Sequence, residues 1–195
     1  MIRTFIAAEI PPDVREELTS SIAGFKETAP FVKWSHPDNL HLTLRFLGDV
    51  KEGDLEELFD AVADAVAAVP PFALEVCGVG AFPNWRHPRI VWAGCGEGAS
   101  DAVTLAGAVE EACVELGYEQ ERRPFRPHLT LGRVKQPADG IGLADAVAGF
   151  ADRPYGYIDV DSVVVFMSSL RRTGPVYSPM ARLPLDVNQY KHSGG

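Results

Sequence analysis

The sequence is poor in cysteine, has no long apolar run and carries an excess of acidic residues. Three cysteines, Cys77, Cys95 and Cys113, occur in 195 residues without a Cys-x-x-Cys spacing, so neither a disulfide framework nor a cysteine zinc site is indicated. No stretch reaches the roughly 18 apolar residues that a membrane-spanning helix needs. The N-terminus is interrupted early by Glu9 and two prolines and does not match a secretory signal. A cytoplasmic location is therefore expected.

Positive charge is scarce overall and locally concentrated. The 18 basic and 27 acidic residues give a net charge of -9, which disfavours a protein that coats nucleic acid through many phosphate contacts. The stretch RRPFRPHLTLGRVK is basic and contains no acidic residue. A small anionic ligand held at one place is compatible with this distribution.

The order of helical and strand patterns predicts an α+β fold. Strand-like pairs joined by short turns indicate antiparallel sheets rather than a doubly wound parallel sheet. Each half of the chain has one long helical pattern and one copy of the peptide His-Leu-Thr-Leu, which indicates a duplicated, two-lobed architecture. We expect one bilobal domain over residues 1–186 and a disordered tail over 187–195, because the tail lacks a core pattern.

The repeated peptide lies at residues 41–44 and 128–131. Five histidines and the seven threonines in the sequence would give roughly 0.2 His-x-Thr matches by chance. On a strand, alternate side chains share a face, so His41 lies beside Thr43, and His128 lies beside Thr130. The leucines of each copy then face the core. Two identical copies favour a functional origin over a chance pattern of strand composition.

Two histidines and two threonines suit proton transfer at a phosphoryl group. One imidazolium can act as general acid while a neutral imidazole acts as general base. Threonine hydroxyls can donate hydrogen bonds to the non-bridging oxygens, and a nearby arginine can neutralise developing charge. A catalytic zinc usually has a third protein ligand, and neither motif brings one at useful spacing. A serine hydrolase is disfavoured because the Gly-x-Ser-x-Gly elbow is absent. We expect no metal and no cofactor.

Strict strand alternation makes three further statements about the motif strands. Arg45 shares the face of His41 and is a candidate phosphate contact, although a solvated strand charge is an equal alternative. Phe46 and Arg133 each follow a motif histidine by five positions and are turned away from it. If Arg133 touches a phosphate, the second strand must end or bulge near Gly132.

The segments NLHLTLRFLG and FRPHLTLGRV resemble the paired His-x-Thr signature of the 2H phosphoesterase superfamily. Within it, the chain is similar to the RNA 2′,3′-cyclic phosphodiesterases, also called 2′-5′ RNA ligases, over all but its tail. The resemblance implies a bilobal α+β fold in which two pseudo-symmetric antiparallel sheets flank a central cleft, with helices on the outside. It also implies metal-independent opening of a 2′,3′-cyclic phosphate to a 2′-phosphate.

The resemblance further implies a role for each motif residue. His41 is the proton donor to the leaving 3′ oxygen, and His128 is the base that activates water. The phosphoryl oxygens are held by Thr43, Thr130 and Arg133. Phe46 is implied to stack on a base, with a core phenylalanine as the alternative from the residues alone.

Several alternatives stay open at the level of sequence. The same catalytic groups would serve 2′-5′ ligation of tRNA halves, and a binding module for RNA ends without catalysis belongs to a different class. The ligand is an RNA 3′ terminus or a small nucleotide with a 2′,3′-cyclic phosphate, and a monomer is expected. Weaker candidates near the cleft are Trp34, His36, the loop 86–89 and the pair Arg171 and Arg172.

Overall fold

The computed structural model describes residues 1–136, 142–172 and 174–186. Within these residues there are nine strands and four α-helices, close to the segments that the periodicity predicts. The strands are β1 (Ile2–Glu9), β2 (Lys33–Trp34), β3 (His41–Val50), β4 (Phe72–Phe82), β5 (Ile90–Cys95), β6 (His128–Arg133), β7 (Pro154–Val160), β8 (Ser162–Arg171) and β9 (Gly174–Pro184). The helices are α1 (Pro12–Thr28), α2 (Leu55–Val66), α3 (Ala99–Glu115) and α4 (Leu143–Val147). The predicted disordered tail lies outside the described residues.

The strands form one curled antiparallel sheet in the order β7-β4-β5-β6-β3-β1-β8-β9, with β2 paired to β6. In this order, four strands lie on each side of the junction between β6 and β3. That junction has a single register pair, Leu42 opposite Leu129, whereas the other neighbouring pairs share longer ladders. The α+β prediction with two pseudo-symmetric halves is confirmed, and the two predicted sheets are joined edge to edge through the repeated motifs.

Helices cover one face of this sheet and form the main core with it. Along α2, the buried residues Leu55, Leu58, Val62 and Val66 recur at helical spacing on one face. Leu42 and Leu129 are fully buried in the same core. The motif leucines therefore face the helices, which leaves the histidine and threonine face turned the other way.

The uncovered face carries a separate, smaller apolar cluster. It consists of Phe5, Ala7, Val164 and Phe166, with Tyr177 packed against it. These residues lie on β1, β8 and β9, beside the first motif strand. The cluster gives one half of the polar face an aromatic floor.

Membrane association through a spanning helix finds no support in the described part of the chain. No helix there is both long and apolar enough to cross a bilayer.

Candidate active site

Each motif strand contains a β-bulge at the second leucine of its His-Leu-Thr-Leu peptide. In β3, Thr43 pairs with Ala7 and Arg45 pairs with Ile6, so Leu44 has no partner on β1. A bulge adds one residue to a strand and reverses the facing of the residues that follow it. The same irregularity occurs in β6.

In β6, Thr130 pairs with Trp92 and Gly132 pairs with Val91, so Leu131 is the extra residue. The bulge brings Arg133 back to the face of His128, and Arg133 lines the cleft. The bulge near Gly132 that a phosphate contact of Arg133 would require is therefore present. Strict alternation was wrong for Arg133 because it assumed an uninterrupted ladder.

Gly132 itself is explained by packing rather than by an unusual backbone angle. It is not among the described glycines with positive φ. A Cβ atom at this position would lie 2.8 Å from the Trp34 indole and 3.0 Å from Val32. Because real Cβ atoms are not found so close, Gly132 lets β2 lie against β6 and sets Trp34 at the cleft wall.

The bulge in β3 turns Phe46 toward the cleft. Its side chain is 53% exposed, lines the cleft and packs against Phe5, with ring centroids 5.4 Å apart. The alternative that Phe46 is a core residue is wrong. Phe46 and Arg133 occupy equivalent positions in the two halves, each five residues after a motif histidine.

The prediction that Arg45 shares the face of His41 is also wrong, for the same reason. Arg45 is only 7% exposed, and its Nη1 lies 2.8 Å from a carboxylate oxygen of Glu110 on α3. A second hydrogen bond goes to the carbonyl of Glu119. The bulge at Leu44 sends Arg45 to the helix side of the sheet, where it cannot contact a ligand in the cleft.

The two motifs meet in an antiparallel register about Leu42 and Leu129. This register sets His41 toward Thr130, and Thr43 toward His128, on the face away from the helices. Each histidine thus has the threonine of the other motif across from it. The register therefore brings the two histidines and the two threonines to neighbouring positions on one face of the sheet.

Each motif histidine is oriented by the backbone carbonyl two residues before it. Nδ1 of His128 lies 2.6 Å from the carbonyl oxygen of Arg126. Since a carbonyl only accepts hydrogen bonds, Nδ1 carries the hydrogen and Nε2 is left for proton exchange. A ring N–H of His41 donates in the same way to the carbonyl of Asn39. The two motifs therefore also share the hydrogen bond that orients their imidazoles.

Burial makes both histidines weak bases in the unliganded protein. The pKa of His41 is lowered to about 4, mainly because burial desolvates the imidazolium; the hydrogen bond to Asn39 opposes this shift, and the positive charge of Arg133 adds to it. The pKa of His128 is lowered by the same causes, burial first and Arg133 after it. Phe5 lies 4.9 Å from His41 between ring centroids, and Phe82 lies 5.1 Å from His128. Aromatic walls thus remove water from both imidazoles.

The cleft next to the motifs has a volume of about 490 Å³ and extends along the His41 side. Its lining residues are Lys33, Trp34, Ser35, His36, Asp38, Asn39, His41, Thr43, Phe46, Thr130, Arg133, Gly174, Pro175, Val176 and Tyr177. His128 is not among them and packs edge-on against Phe82. The space for an organic group therefore adjoins His41, and His128 lies outside its lining.

Several cleft residues were not identified from the sequence. Tyr177 lies edge-on to His41, with ring centroids 5.3 Å apart. The Asn39 side chain donates to the Pro175 carbonyl over 2.9 Å, which ties the β8–β9 hairpin to the start of the first motif. Neither residue belongs to a motif, and their proximity depends on the pairing of distant strands. Trp34 and His36, left as weak candidates, do line the cleft.

Other features do not join this site. Arg86 and His87 lie in an exposed loop outside the cleft lining. A second cavity of about 320 Å³ is lined by Glu9, Asp13, Asp159, Asp161 and Arg182 among others, and its acidic lining does not suit a phosphate. Among the described residues, no three His, Cys, Asp or Glu side chains are grouped closely enough to hold a metal ion.

Comparison with known proteins gives consistent matches along the whole motif region. A family model described as LigT like Phosphoesterase matches residues 8–92 and 95–177. The RNA 2′,3′-cyclic phosphodiesterase of Methanothermobacter thermautotrophicus is 34% identical over 179 residues, which is 92% of this chain and 96% of that protein. The protein of the same name from Archaeoglobus fulgidus is 32% identical, over 92% of this chain and 98% of its own length.

Solved structures agree with these sequence matches. Escherichia coli LigT in complex with 3′-AMP superimposes with a TM-score of 0.74 at 29% identity, covering 94% of this chain and 98% of that one. A Thermus thermophilus protein gives a TM-score of 0.76 at 28% identity, covering 95% and 98%. Fold and sequence thus point to one group of proteins.

Proposed function

We propose that this chain, which belongs to the LigT-like phosphoesterase family, hydrolyses 2′,3′-cyclic phosphate at RNA ends to a 2′-phosphate. Its relatives carry the name RNA 2′,3′-cyclic phosphodiesterase, which states this substrate. In our proposal His128 acts as general base, His41 acts as general acid, and no metal ion takes part.

The observation that carries the proposal is the antiparallel register of the two motifs about Leu42 and Leu129. It opposes each histidine to the threonine of the other copy, so a phosphoryl group between them meets a proton acceptor, a proton donor and two hydroxyl donors. A site that only binds an anion would not need two titratable groups, because fixed hydrogen-bond donors and arginines suffice.

The proposed step transfers one proton at each end of an in-line displacement. Nε2 of His128 takes a proton from water as the water oxygen bonds to phosphorus. The bond from phosphorus to the 3′ oxygen breaks, and imidazolium His41 gives its proton to that oxygen. Thr43, Thr130 and Arg133 stabilise the charge that develops on the non-bridging oxygens. The product is a 2′-phosphate with a free 3′ hydroxyl, and solvent returns the proton from His128 to His41.

The shape of the cleft supports this division of roles. The leaving oxygen belongs to the ribose, so the general acid must lie next to the nucleoside. The large cavity adjoins His41 and is bounded by Phe46 and Tyr177, whose rings offer faces or edges to a base. His128 lies outside the lining of this cavity and packs against Phe82, so we assign it to the water and not to the nucleoside.

The low pKa of His41 requires that substrate binding recharge it. A bound phosphodiester anion offsets the positive charge of Arg133 and favours the imidazolium form of a nearby histidine. We therefore expect the pKa of His41 to be higher in the complex than in the free protein. The free protein and the complex would then differ in the protonation state of His41.

The test uses an oligoribonucleotide that ends in a 2′,3′-cyclic phosphate, incubated with the purified protein in EDTA. The 2′- and 3′-phosphate products are separated by chromatography, and binding of the 2′-phosphate product is measured in parallel. His41→Ala and His128→Ala should each lower kcat by about 10²–10⁴-fold while product binding changes by only a few fold. His87→Ala, outside the cleft, serves as the matched control.

Three outcomes contradict the proposal. A 3′-phosphate product would reverse the assignment of the leaving oxygen. Complete loss of turnover in EDTA would indicate a metal-dependent reaction. Unchanged turnover in both histidine variants would remove their assigned roles and leave binding as the function.

A further inference from the structure

We propose that the tip of the β8–β9 hairpin, by which we mean Leu170, Arg171 and Arg172, binds the RNA strand immediately 5′ of the reacting nucleotide. Leu170 offers an apolar platform for the penultimate base, and Arg171 with Arg172 contacts the adjoining phosphates. The inference rests on the proposed function, because it assumes that an RNA end occupies the cleft. It adds a strand-binding surface outside that cleft.

The hairpin tip is continuous with the cleft wall. Leu170 pairs with Pro175 and Arg171 pairs with Gly174 across the hairpin. Gly174 and Pro175 both line the cleft. A strand leaving the cleft on this side would therefore meet Leu170 and Arg171 first.

Leu170 faces the side of the sheet on which the cleft opens. Val164 and Phe166 belong to the apolar cluster of that face, and alternation along β8 carries the same facing through Ser168 to Leu170. Its side chain is 85% exposed, the highest value among the exposed large hydrophobic residues of the described chain. A base can pack its apolar face against such a side chain through the hydrophobic effect, which does not depend on the identity of the base.

Charge at the tip is complementary to RNA. The segment SSLRRTGPVYS, residues 168–178, contains two arginines and no acidic residue, within a chain whose net charge is -9. Arg171 and Arg172 are both exposed, and guanidinium groups match phosphate geometry well. Asp38 lies on the cleft lining but belongs to the segment before β3, not to the hairpin.

The hairpin is anchored at Pro175, the residue that pairs with Leu170. The Asn39 side chain donates to the Pro175 carbonyl over 2.9 Å, and the backbone carbonyl of Asn39 accepts from His41. Asn39 thus connects His41, the proposed general acid, to Pro175 of the hairpin. A fixed platform loses less conformational freedom on binding than a loose loop does.

A second basic surface provides the competing location. Arg122 and Arg123 are exposed in the loop before β6. Neither is among the cleft-lining residues, whereas Gly174 and Pro175 of the hairpin are, so we place the RNA strand on the hairpin. These two arginines are the matched control for the test.

The experiment measures binding of a fluorescein-labelled oligoribonucleotide that ends in a 2′-phosphate, with 2′-AMP as the ligand without a 5′ neighbour. Arg171→Gln/Arg172→Gln should weaken oligonucleotide binding about tenfold more than 2′-AMP binding. The slope of log affinity against log salt should fall by about 1.4, roughly 0.7 for each lost phosphate contact on a single strand. Leu170→Ser should weaken oligonucleotide binding without changing that slope.

Arg122→Gln/Arg123→Gln should change both affinities by less than about twofold. Equal losses for both ligands in the hairpin variant, or an oligonucleotide-specific loss in the control pair instead, would overturn the inference. So would a wild-type protein that binds the oligonucleotide no more tightly than 2′-AMP. If the expected binding pattern holds but no cyclic phosphate is opened, the surface stands and the proposed function fails.

Discussion

Arg133 is the residue that links the two histidines electrostatically. Its charge lowers the pKa of His41 and of His128, and it also lowers the pKa of Tyr177 against the larger effect of burial. One guanidinium therefore acts on the proposed acid, the proposed base and an aromatic wall of the cleft. Its reach follows from the bulge at Leu131, without which it would face the helices.

Arg133→Gln should raise the pKa of both histidines in the free protein, because it removes a positive charge that disfavours their protonation. The pH profile of kcat/KM should shift to higher pH as a whole. The value of kcat/KM at its optimum should fall by about 10²–10³-fold, the usual effect of losing a donor to the developing oxyanion. NMR titration of the imidazole protons and a pH series of kcat/KM measure the two effects.

Lys33→Gln is the control for this prediction. Lys33 pairs with Arg133 across β2 and β6 and lines the cleft, but it is not among the causes of either histidine shift. Its removal should move the two pKa values less than removal of Arg133 does. Histidine titrations that stay unmoved in Arg133→Gln would contradict the electrostatic link.

Arg45 shows how a charged residue in a motif strand can be structural. Its guanidinium is buried against Glu110, so it connects β3 to α3 beneath the cleft floor. Arg45→Met should lower the free energy of unfolding by about 2 kcal/mol, less than for a fully buried pair because the Glu110 side chain is 22% exposed. The value of kcat/KM should stay within about twofold of wild type.

Denaturant unfolding and turnover of the cyclic phosphate are measured on the same preparations. Adding Glu110→Met to Arg45→Met should recover most of the lost stability, because the second change removes the unpaired carboxylate. A loss of turnover without a loss of stability would contradict this structural role and favour Arg45 as a phosphate contact.

At the scale of elements, the two bulges decide which residues enter the cleft. Periodicity predicts the strands, the helices and the shared face of each His-Thr pair, because these depend on local alternation. The alternation breaks down at the residue after each motif threonine, because that residue is the extra residue of the bulge. The extra residue of a bulge is visible only in the pairing of β3 with β1 and of β6 with β5. Arg45, Phe46 and Arg133 were all misplaced by strict alternation for this reason.

Residues outside the motifs were harder to predict. Tyr177 and Asn39 reach the site only because β9 and the turn before β3 meet at the cleft. Their positions depend on contacts between segments more than 130 residues apart in sequence. The periodicity of a single sequence does not predict contacts between segments so far apart. The roles of the motif residues are implied by the family resemblance alone, whereas their neighbours follow from the strand register.

Gly132→Ala tests the packing of β2 on β6. The added methyl group would lie 2.8 Å from the Trp34 ring, so β2 or Trp34 must move. We expect a loss of about 1–3 kcal/mol in unfolding free energy, typical of overpacking, and a lower kcat/KM because Arg133 is the next residue. Thermal unfolding and steady-state kinetics measure these changes.

Gly107→Ala is the matched control for this substitution. Gly107 lies within α3, and a Cβ there would meet nothing within 4 Å. Removing a glycine from a helix interior should raise stability by up to about 1 kcal/mol. If Gly132→Ala were as harmless as Gly107→Ala, close packing would not be the reason for glycine at the bulge.

At the scale of the whole molecule, the fold brings both halves of the candidate site together within one chain. The two halves of the sheet join at the β3–β6 pair, and that pair carries both histidines and both threonines. The duplication seen in the sequence therefore places two half-sites in one molecule, as a symmetric dimer would do between two copies. We expect the protein to act as a monomer.

Two measurements check this expectation. Activity per chain should be constant over dilution from micromolar to nanomolar protein, because no subunit contact is needed to form the cleft. Mixing His41→Ala with His128→Ala should restore no activity, since each chain holds one defective half of its own site. Recovery of about a quarter of wild-type activity in an equimolar mixture after joint refolding would indicate instead that active sites are shared between exchanged halves.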